Sequence, residues 1–137
     1  MRLAAFTDYG LRILMRLAHS PERRFSTAEL AAEFQVSQHH LTKVAQDLAR
    51  GGFVTTQRGS GGGLMLARDA QSIRLGEVAR HLERRFALVE CFRADGGECV
   101  LRSGCRLRAR LAAAREAFFD ELDRGTISDC AWSAEPA

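Results

Sequence analysis

Residues 26–50 read STAELAAEFQVSQHHLTKVAQDLAR, and this stretch decides the fold. Ser26 followed three positions later by Glu29 has the form of a capping box, in which each side chain satisfies the other residue's orphan N–H at a helix start. That predicts a short helix running through Phe34, with Leu30 and Phe34 buried. Gln35-Val36-Ser37 makes a turn, and Ser37 caps a second helix over Gln38 to Arg50. Leu41, Val44, Ala45 and Leu48 form its inward face; His39, Lys43, Gln46 and Arg50 fall opposite, with His40 and Thr42 on the flanks. Two short helices across a tight turn, the second carrying donors outward, form a helix-turn-helix pattern. Its second helix suits the major groove, and residues near its N-terminus reach base edges. Gln38, His39, His40, Thr42 and Lys43 are therefore the candidates for DNA contact, against the plainer reading of a solvated helix face.

The flanking segments extend the pattern. Phe53-Val54-Thr55-Thr56-Gln57-Arg58 reads as a strand, Gly59 to Gly63 as a loop and Leu64-Met65-Leu66 as the returning strand, which makes a β-hairpin wing. Arg58 and the loop amides of Ser60 and Gly61 can meet phosphate or the minor groove. A Gly-rich loop can also cradle a nucleotide, but no Gly-Lys-Ser/Thr follows and no helix opens after it, so that site is rejected. Upstream, Thr7 or Asp8 is placed as the cap of a helix running to about His19, with Ile13, Leu14 and Leu17 inward and Pro21 beyond its end.

Downstream, a helix from about Leu75 to Phe86 is apolar at Val78, Ala79, Leu82 and Phe86. A longer one, Arg106 to Arg124, carries Leu107, Leu111, Ala114, Phe118 and Leu122 on one stripe and stops at Gly125. Its length of roughly 27 Å exceeds what a small winged domain needs to cover itself. The stripe therefore suits pairing with a second copy, as winged-helix proteins commonly read palindromes as two-fold dimers. The expected fold class is mainly α with a small β-hairpin wing. A winged helix-turn-helix occupies 1–86 (helix-turn-helix about 28–51, wing about 53–66), a cysteine loop 87–105, and a dimerisation helix and tail 106–130. A short capped turn is expected at Thr126 to Asp129, and no order after Cys130.

The loop holds the chemistry. Residues 88–106, LVECFRADGGECVLRSGCR, place Cys91, Cys99 and Cys105 within a few turns of chain. Soft anionic sulfur binds zinc or iron–sulfur clusters well, and Gly96, Gly97 and Gly104 supply turns that aim the ligands. The spacing matches neither a zinc-finger nor a ferredoxin pattern, and free cysteines are also used as small buried hydrophobes, so zinc, iron–sulfur and inert thiols all stand on residues alone. Three local thiols leave a fourth ligand to come from elsewhere; Glu90, Asp95, Glu98 and His81 are possible donors. A thiol oxidoreductase is disfavoured, because no Cys-x-x-Cys pair exists.

At 137 residues one domain is expected, and no apolar run approaches a membrane span or a signal peptide. A cytoplasmic location, where thiols stay reduced, is the corresponding expectation. The net charge of +3 is uneven: residues 1–68 carry nine basic and five acidic side chains, residues 69–137 eleven and twelve. The basic half contains the helix-turn-helix, as a nucleic-acid face requires.

Collinear pieces carry a resemblance over residues 1–130: FTDYGLR (6–12), SQHHLTKVAQDLARGGFV (37–54), RGSGGGLML (58–66), LVECF (88–92), the second and third cysteines before RLRARL (106–111), and DRGTISD (123–129). The chain resembles the NsrR branch of the winged-helix regulators that also include IscR and RirA. That resemblance implies a homodimeric repressor on palindromic double-stranded operator DNA. It also implies an iron–sulfur cluster, the four-iron form favoured over the two-iron form, which nitric oxide attacks. Carried over by position, Cys91, Cys99 and Cys105 are its thiolate ligands and Asp8 the fourth. Iron-responsive or cluster-status sensing, as in RirA-like and IscR-like regulators, and a zinc-stabilised DNA-binding protein are the alternatives. Gln38 and His39 stand where such proteins often carry Arg and Asn, Ser60 replaces a common wing cation, and Gln35 holds a turn position often given to Gly.

Overall fold

The capping box closes as its spacing requires: Glu29 N–H donates to Ser26 Oγ at 3.0 Å, and Ser26 N–H donates to the Glu29 carboxylate at 2.8 Å. In the computed structural model, which describes residues 2–134, this start opens α2 (Thr27–Phe34), preceded by α1 (Ala5–His19) and followed by α3 (Gln38–Arg50). The wing strands β1 (Val54–Gln57) and β2 (Gly63–Leu66) come next, then α4 (Leu75–Glu83) and α5 (Arg106–Leu122). Short 3₁₀ turns lie at Ala70–Ser72, Glu90–Phe92 and Ser128–Cys130. The architecture is the expected one, mainly helical with a two-stranded hairpin.

The turn between α2 and α3 bends sharply because Gln35 takes the left-handed conformation, φ 59° and ψ 45°. That geometry costs a residue with a Cβ about 1–2 kcal/mol, and its N–H repays part by reaching the carbonyls of Ala31 and Ala32. β1 and β2 pair antiparallel with Val54 opposite Leu66 and Gln57 opposite Gly63. Phe25 adds a one-residue bridge to Leu64 through bonds of 3.1 and 2.7 Å, which ties the wing to the entrance of α2.

One core forms from these elements. Ile13, Leu14 and Leu17 of α1, Leu41, Val44 and Leu48 of α3, and Val78 and Leu82 of α4 are buried together with Phe25, Leu30, Phe53, Ile73 and Ile127. α4 lies between α1 and α5 and approaches both closely. On one side Gly10 leaves room for Leu82; on the other, a Cβ on Gly76 would strike the Phe119 carbonyl and the Asp123 carboxylate. After α5 the chain returns along the segment before α4, with Leu75 N–H to Gly125 O at 3.0 Å and Ile127 N–H to Ile73 O at 2.9 Å.

Several local expectations need correction. Neither Thr7 nor Asp8 caps α1: the helix begins at Ala5 with Ala4 extended before it, and no side chain of the cap residue bonds to it. A tertiary partner takes the role instead, the Glu83 carboxylate accepting the Ala4 N–H at 2.8 Å. Thr7 is fully buried and Asp8 sits in the first turn. α4 stops at Glu83 rather than Phe86; Arg84 keeps helical dihedrals in the turn that follows, where it and Arg85 reach a buried carboxylate on α3, and Phe86 is left 46% exposed. α5 ends at Leu122, not Arg124, where Asp123 is held by Arg80.

The α5 stripe is only partly covered within this chain: Leu111, Phe118 and Leu122 are half-buried, Leu107 is 62% exposed, and the residue that α5 buries fully is Phe119, off that stripe. The chain after Cys130 is also engaged, Trp132 N–H donating to the Met15 carbonyl at 3.0 Å. The reciprocal turn expected at Thr126 and Asp129 forms, with bonds of 2.8 and 3.3 Å. Among the described residues, no helix is long and apolar enough to cross a membrane.

The contact at Gly76 gives a direct test. Gly76→Ala forces α4 and α5 apart and is expected to cost about 1–3 kcal/mol. The check is a lower denaturant midpoint with an unchanged m-value; an unaltered midpoint would show that the two helices separate freely.

Candidate functional site

α3 presents its outer residues because its inner stripe is spent on the core. Gln38, His39, Lys43, Gln46 and Arg50 are exposed. The N-terminus is held by Ser37, whose hydroxyl accepts the His40 N–H at 3.3 Å. Thr42 is half-buried and its hydroxyl donates to the Gln38 carbonyl at 2.9 Å, which leaves its oxygen as an acceptor. His40 differs from its neighbours. Its half-buried ring meets Tyr9 edge-on at 5.0 Å and Phe6 at 6.2 Å, so it braces α3 against α1. Arg58, Ser60 and Gly61 lie exposed at the hairpin tip. This set supplies donors for phosphate and base edges.

The cysteine loop spans the gap between α4 and α5. Cys91 lies in the turn Glu90–Phe92, Cys105 immediately precedes α5, and Cys99 lies between them; all three are free thiols of intermediate exposure, as is Cys130. The loop folds on itself through acidic side chains: Asp95 accepts the Gly97 N–H at 2.9 Å and Glu90 accepts the Glu98 N–H at 2.6 Å. Gly96, Gly97 and Gly104 adopt positive φ, as their turn roles demand. Beside Cys91 is a pocket of about 340 Å³ whose walls include Arg93, Arg102, Arg108 and Arg115. Arg108 and Arg115 lie over the Phe92 ring at 5.5 and 5.0 Å.

The donor chemistry of this loop fits a thiolate-held metal centre. The thiols are unpaired, and the surrounding guanidinium groups favour an anionic occupant. The geometry is not pre-assembled: among the described residues no group of three or more His, Cys, Asp or Glu side chains is arranged to hold a metal ion. Asp8 is engaged elsewhere, its carboxylate receiving Arg12 Nε at 3.0 Å and Nη2 at 2.7 Å. Glu90 and Asp95 are committed to loop amides, and His81 Nε2 lies 2.9 Å from the Asp47 carbonyl oxygen.

Two charged clusters escape a reading of the sequence alone. Asp47 on α3 is fully buried, yet Arg84 reaches it at 2.6 and 2.9 Å and Arg85 at 3.3 Å. Arg80 on α4 meets Asp123 at 2.7 Å, Asp120 at 2.8 Å and Glu116 at 3.7 Å, all from α5 or its end. The one available signal is helical spacing, which sets Asp47 beside Val44 and Leu48 on an otherwise apolar stripe and so demands a cation from elsewhere in the chain.

Comparison with known proteins follows this geometry. The family model described as Rrf2, iron-dependent transcriptional regulator, matches residues 3–131. The HTH-type transcriptional regulator NsrR of Geobacillus kaustophilus is 43% identical over 130 residues, 94% of this chain and 88% of that protein. The protein of the same name from Shouchella clausii is 37% identical over 130 residues, 94% of this chain and 87% of that protein. Among solved structures, CymR, the global cysteine regulator of B. subtilis, superposes with TM-score 0.73 at 26% identity, covering 96% of each chain. IscR of T. potens does so at 0.70 and 22% identity over 94% of this chain and 85% of that one, a likeness of fold.

The Asp47 pairing predicts a pH dependence. Hydrogen bonds from Arg84 first, then the charges of His81, Arg84 and Arg85, hold its carboxyl below the ordinary value of 3.8 against the opposing effect of burial. A carboxyl depressed in the folded state stabilises the fold above its unfolded value, and that contribution is lost as pH falls below about 4 through the folded value. Asp47→Asn is expected to be less stable by about 1–3 kcal/mol at pH 7. The gap to wild type should narrow between pH 5 and pH 3 in denaturant titrations; a gap of constant size would refute the assignment.

Proposed function

This chain belongs to the Rrf2 family of transcriptional regulators, and from that premise we propose that it is an iron–sulfur-dependent repressor. It binds palindromic operator DNA as a homodimer in the cytoplasm and releases it when nitric oxide attacks the cluster. The observation that carries this reading is the trio of unpaired thiols, Cys91, Cys99 and Cys105, in an arginine-lined loop strung between α4 and α5 of a winged helix. The relatives named NsrR support nitric oxide as the signal.

When bound, an iron–sulfur cluster supplies iron open to attack by a small molecule. Cys91, Cys99 and Cys105 would hold it as thiolates, in the four-iron form, with Asp8 as the fourth ligand. The Asp8–Arg12 pair is nearly half exposed on both sides, 47% and 44%. Exposed pairs contribute at most about 1 kcal/mol, so exchanging Arg12 for a metal costs little. Asp8 precedes Tyr9, the ring that braces His40, so a pull on Asp8 acts directly on the head of α3. Gln38, His39, His40, Thr42 and Lys43 address base edges, and Arg58, Ser60 and Gly61 address the backbone or minor groove.

Pairing of two copies is supported by apolar side chains that one chain leaves uncovered around the loop and α5: Val100 at 93%, Leu101 at 68% and Leu107 at 62% exposure. The family's description as iron-dependent supports a second reading, in which iron supply is the signal. Release of DNA on iron chelation alone, with no response to nitric oxide, separates that reading from the first.

Cys99→Ala tests the central claim. Anaerobically purified variant is expected to lack visible absorbance and to bind a duplex, selected from a random library by the wild-type protein, more weakly, with far-UV circular dichroism unchanged. Unaltered affinity would remove the cluster from the mechanism. Lys43→Ala should weaken the same binding by about 1–3 kcal/mol while iron content stays at the wild-type level.

A further inference from the structure

We infer that Asp47 is a positioning residue through which the state of the cysteine loop reaches α3, with Arg84 and Arg85 as the lever. The inference rests on the reading of the chain as a loop-regulated DNA binder and adds the route of coupling. Asp47 is fully buried in the second half of α3, and its ion-pair partners among the described residues all come from outside that helix. Its charge is tolerated because two guanidinium groups arrive from outside the helix, Arg84 at 2.6 and 2.9 Å and Arg85 at 3.3 Å. Both residues follow the end of α4, seven and six positions before Cys91. They are the last ion-paired side chains before the loop. Their side chains are 39% and 50% exposed, so they can withdraw toward solvent when the loop is pulled, whereas Asp47 at 1% cannot follow them.

The far end of the loop leads into α5, and it is the opposite end of α5, fifteen to eighteen residues beyond Cys105, that is tied to the same helix. Arg80 of α4 grips Asp120 and Asp123 at 2.8 and 2.7 Å, so α5 and α4 form one anchored frame. The nearer ion-paired tie is at the leading end, seven and six residues before Cys91, and rearrangement of Cys91, Cys99 and Cys105 is relayed there. There it meets two links to α3: the ion cluster at Asp47, and ring contacts in which Phe6 lies 6.3 Å from Phe86 and 6.2 Å from His40. The ion cluster is the directional link. Loss of either guanidinium leaves a buried carboxylate undercompensated, a state that a shift of α3 relieves.

Coupling is reciprocal, so DNA on α3 must be felt by the loop even without metal. The test uses metal-free protein and the duplex selected by wild type, and measures alkylation of Cys91 by iodoacetamide with peptide mass spectrometry. In wild type, saturating duplex is expected to change the rate severalfold. In Arg84→Gln, folded by circular dichroism and still saturated with duplex, the change should fall below twofold, and Arg84→Lys should recover part of it. In loaded protein, the ratio of affinities with and without cluster should fall in parallel, from the 5- to 150-fold usual for allosteric coupling. An equal response in wild type and Arg84→Gln, or none in wild type, overturns the inference. Failure of the cluster reading appears separately, as iron-free protein from anaerobic purification, and leaves the alkylation comparison able to decide.

Discussion

The whole arrangement depends on how closely α4 is held between its neighbours. Gly10 on α1 accepts Leu82, and Gly76 lets the backbone of α5 approach at Phe119. Leu82 and Val78 are completely buried in that sandwich. Close packing makes such a helix a poor spring: it transmits displacement instead of absorbing it. Helix α3, the cysteine loop and α5 all touch this one element or its immediate end, so none of them is independent of the others.

Ionic contacts were placed where the close packing leaves gaps. Arg80 ties α4 to α5, Arg84 and Arg85 tie its end to Asp47, and Glu83 accepts the Ala4 N–H that opens α1. Four consecutive residues of LERR, 82–85, thus contribute a core contact, a helix cap and two ligands for a buried acid. The helix ends at Glu83, and Arg84 and Arg85 lie in the turn that follows it.

The parts readable from sequence are those whose physics is local. The Ser26–Glu29 box, the Ser37 cap and the stripe Leu41, Val44, Ala45 and Leu48 depend on neighbours within one or two turns, and all form where spacing puts them. The turn at Gln35 forms there too, and its left-handed conformation fits a position that the resemblance often gives to Gly. What could not be read required long-range partners: the end of α4, the start of α1, and the burial of Asp47 inside an apolar stripe. The α5 stripe shows the same limit in reverse, because periodicity marks Leu107 and Leu111 as apolar-facing without saying which chain would cover them. The three thiols are close in sequence, yet their gathering around one centre is a property of the loop's conformation, which local turns at Gly96, Gly97 and Gly104 constrain only in part.

His40 divides α3 into positions of different freedom. With its ring set against Tyr9 and Phe6, it is half committed to holding the first helix in place, while Gln38, His39 and Lys43 touch nothing that the core requires. A surface partitioned in this way can vary at three outward sites while the packing of α3 on α1 stays untouched. Descendants of one ancestral chain can then diverge along the outside of this helix without disturbing what it rests against.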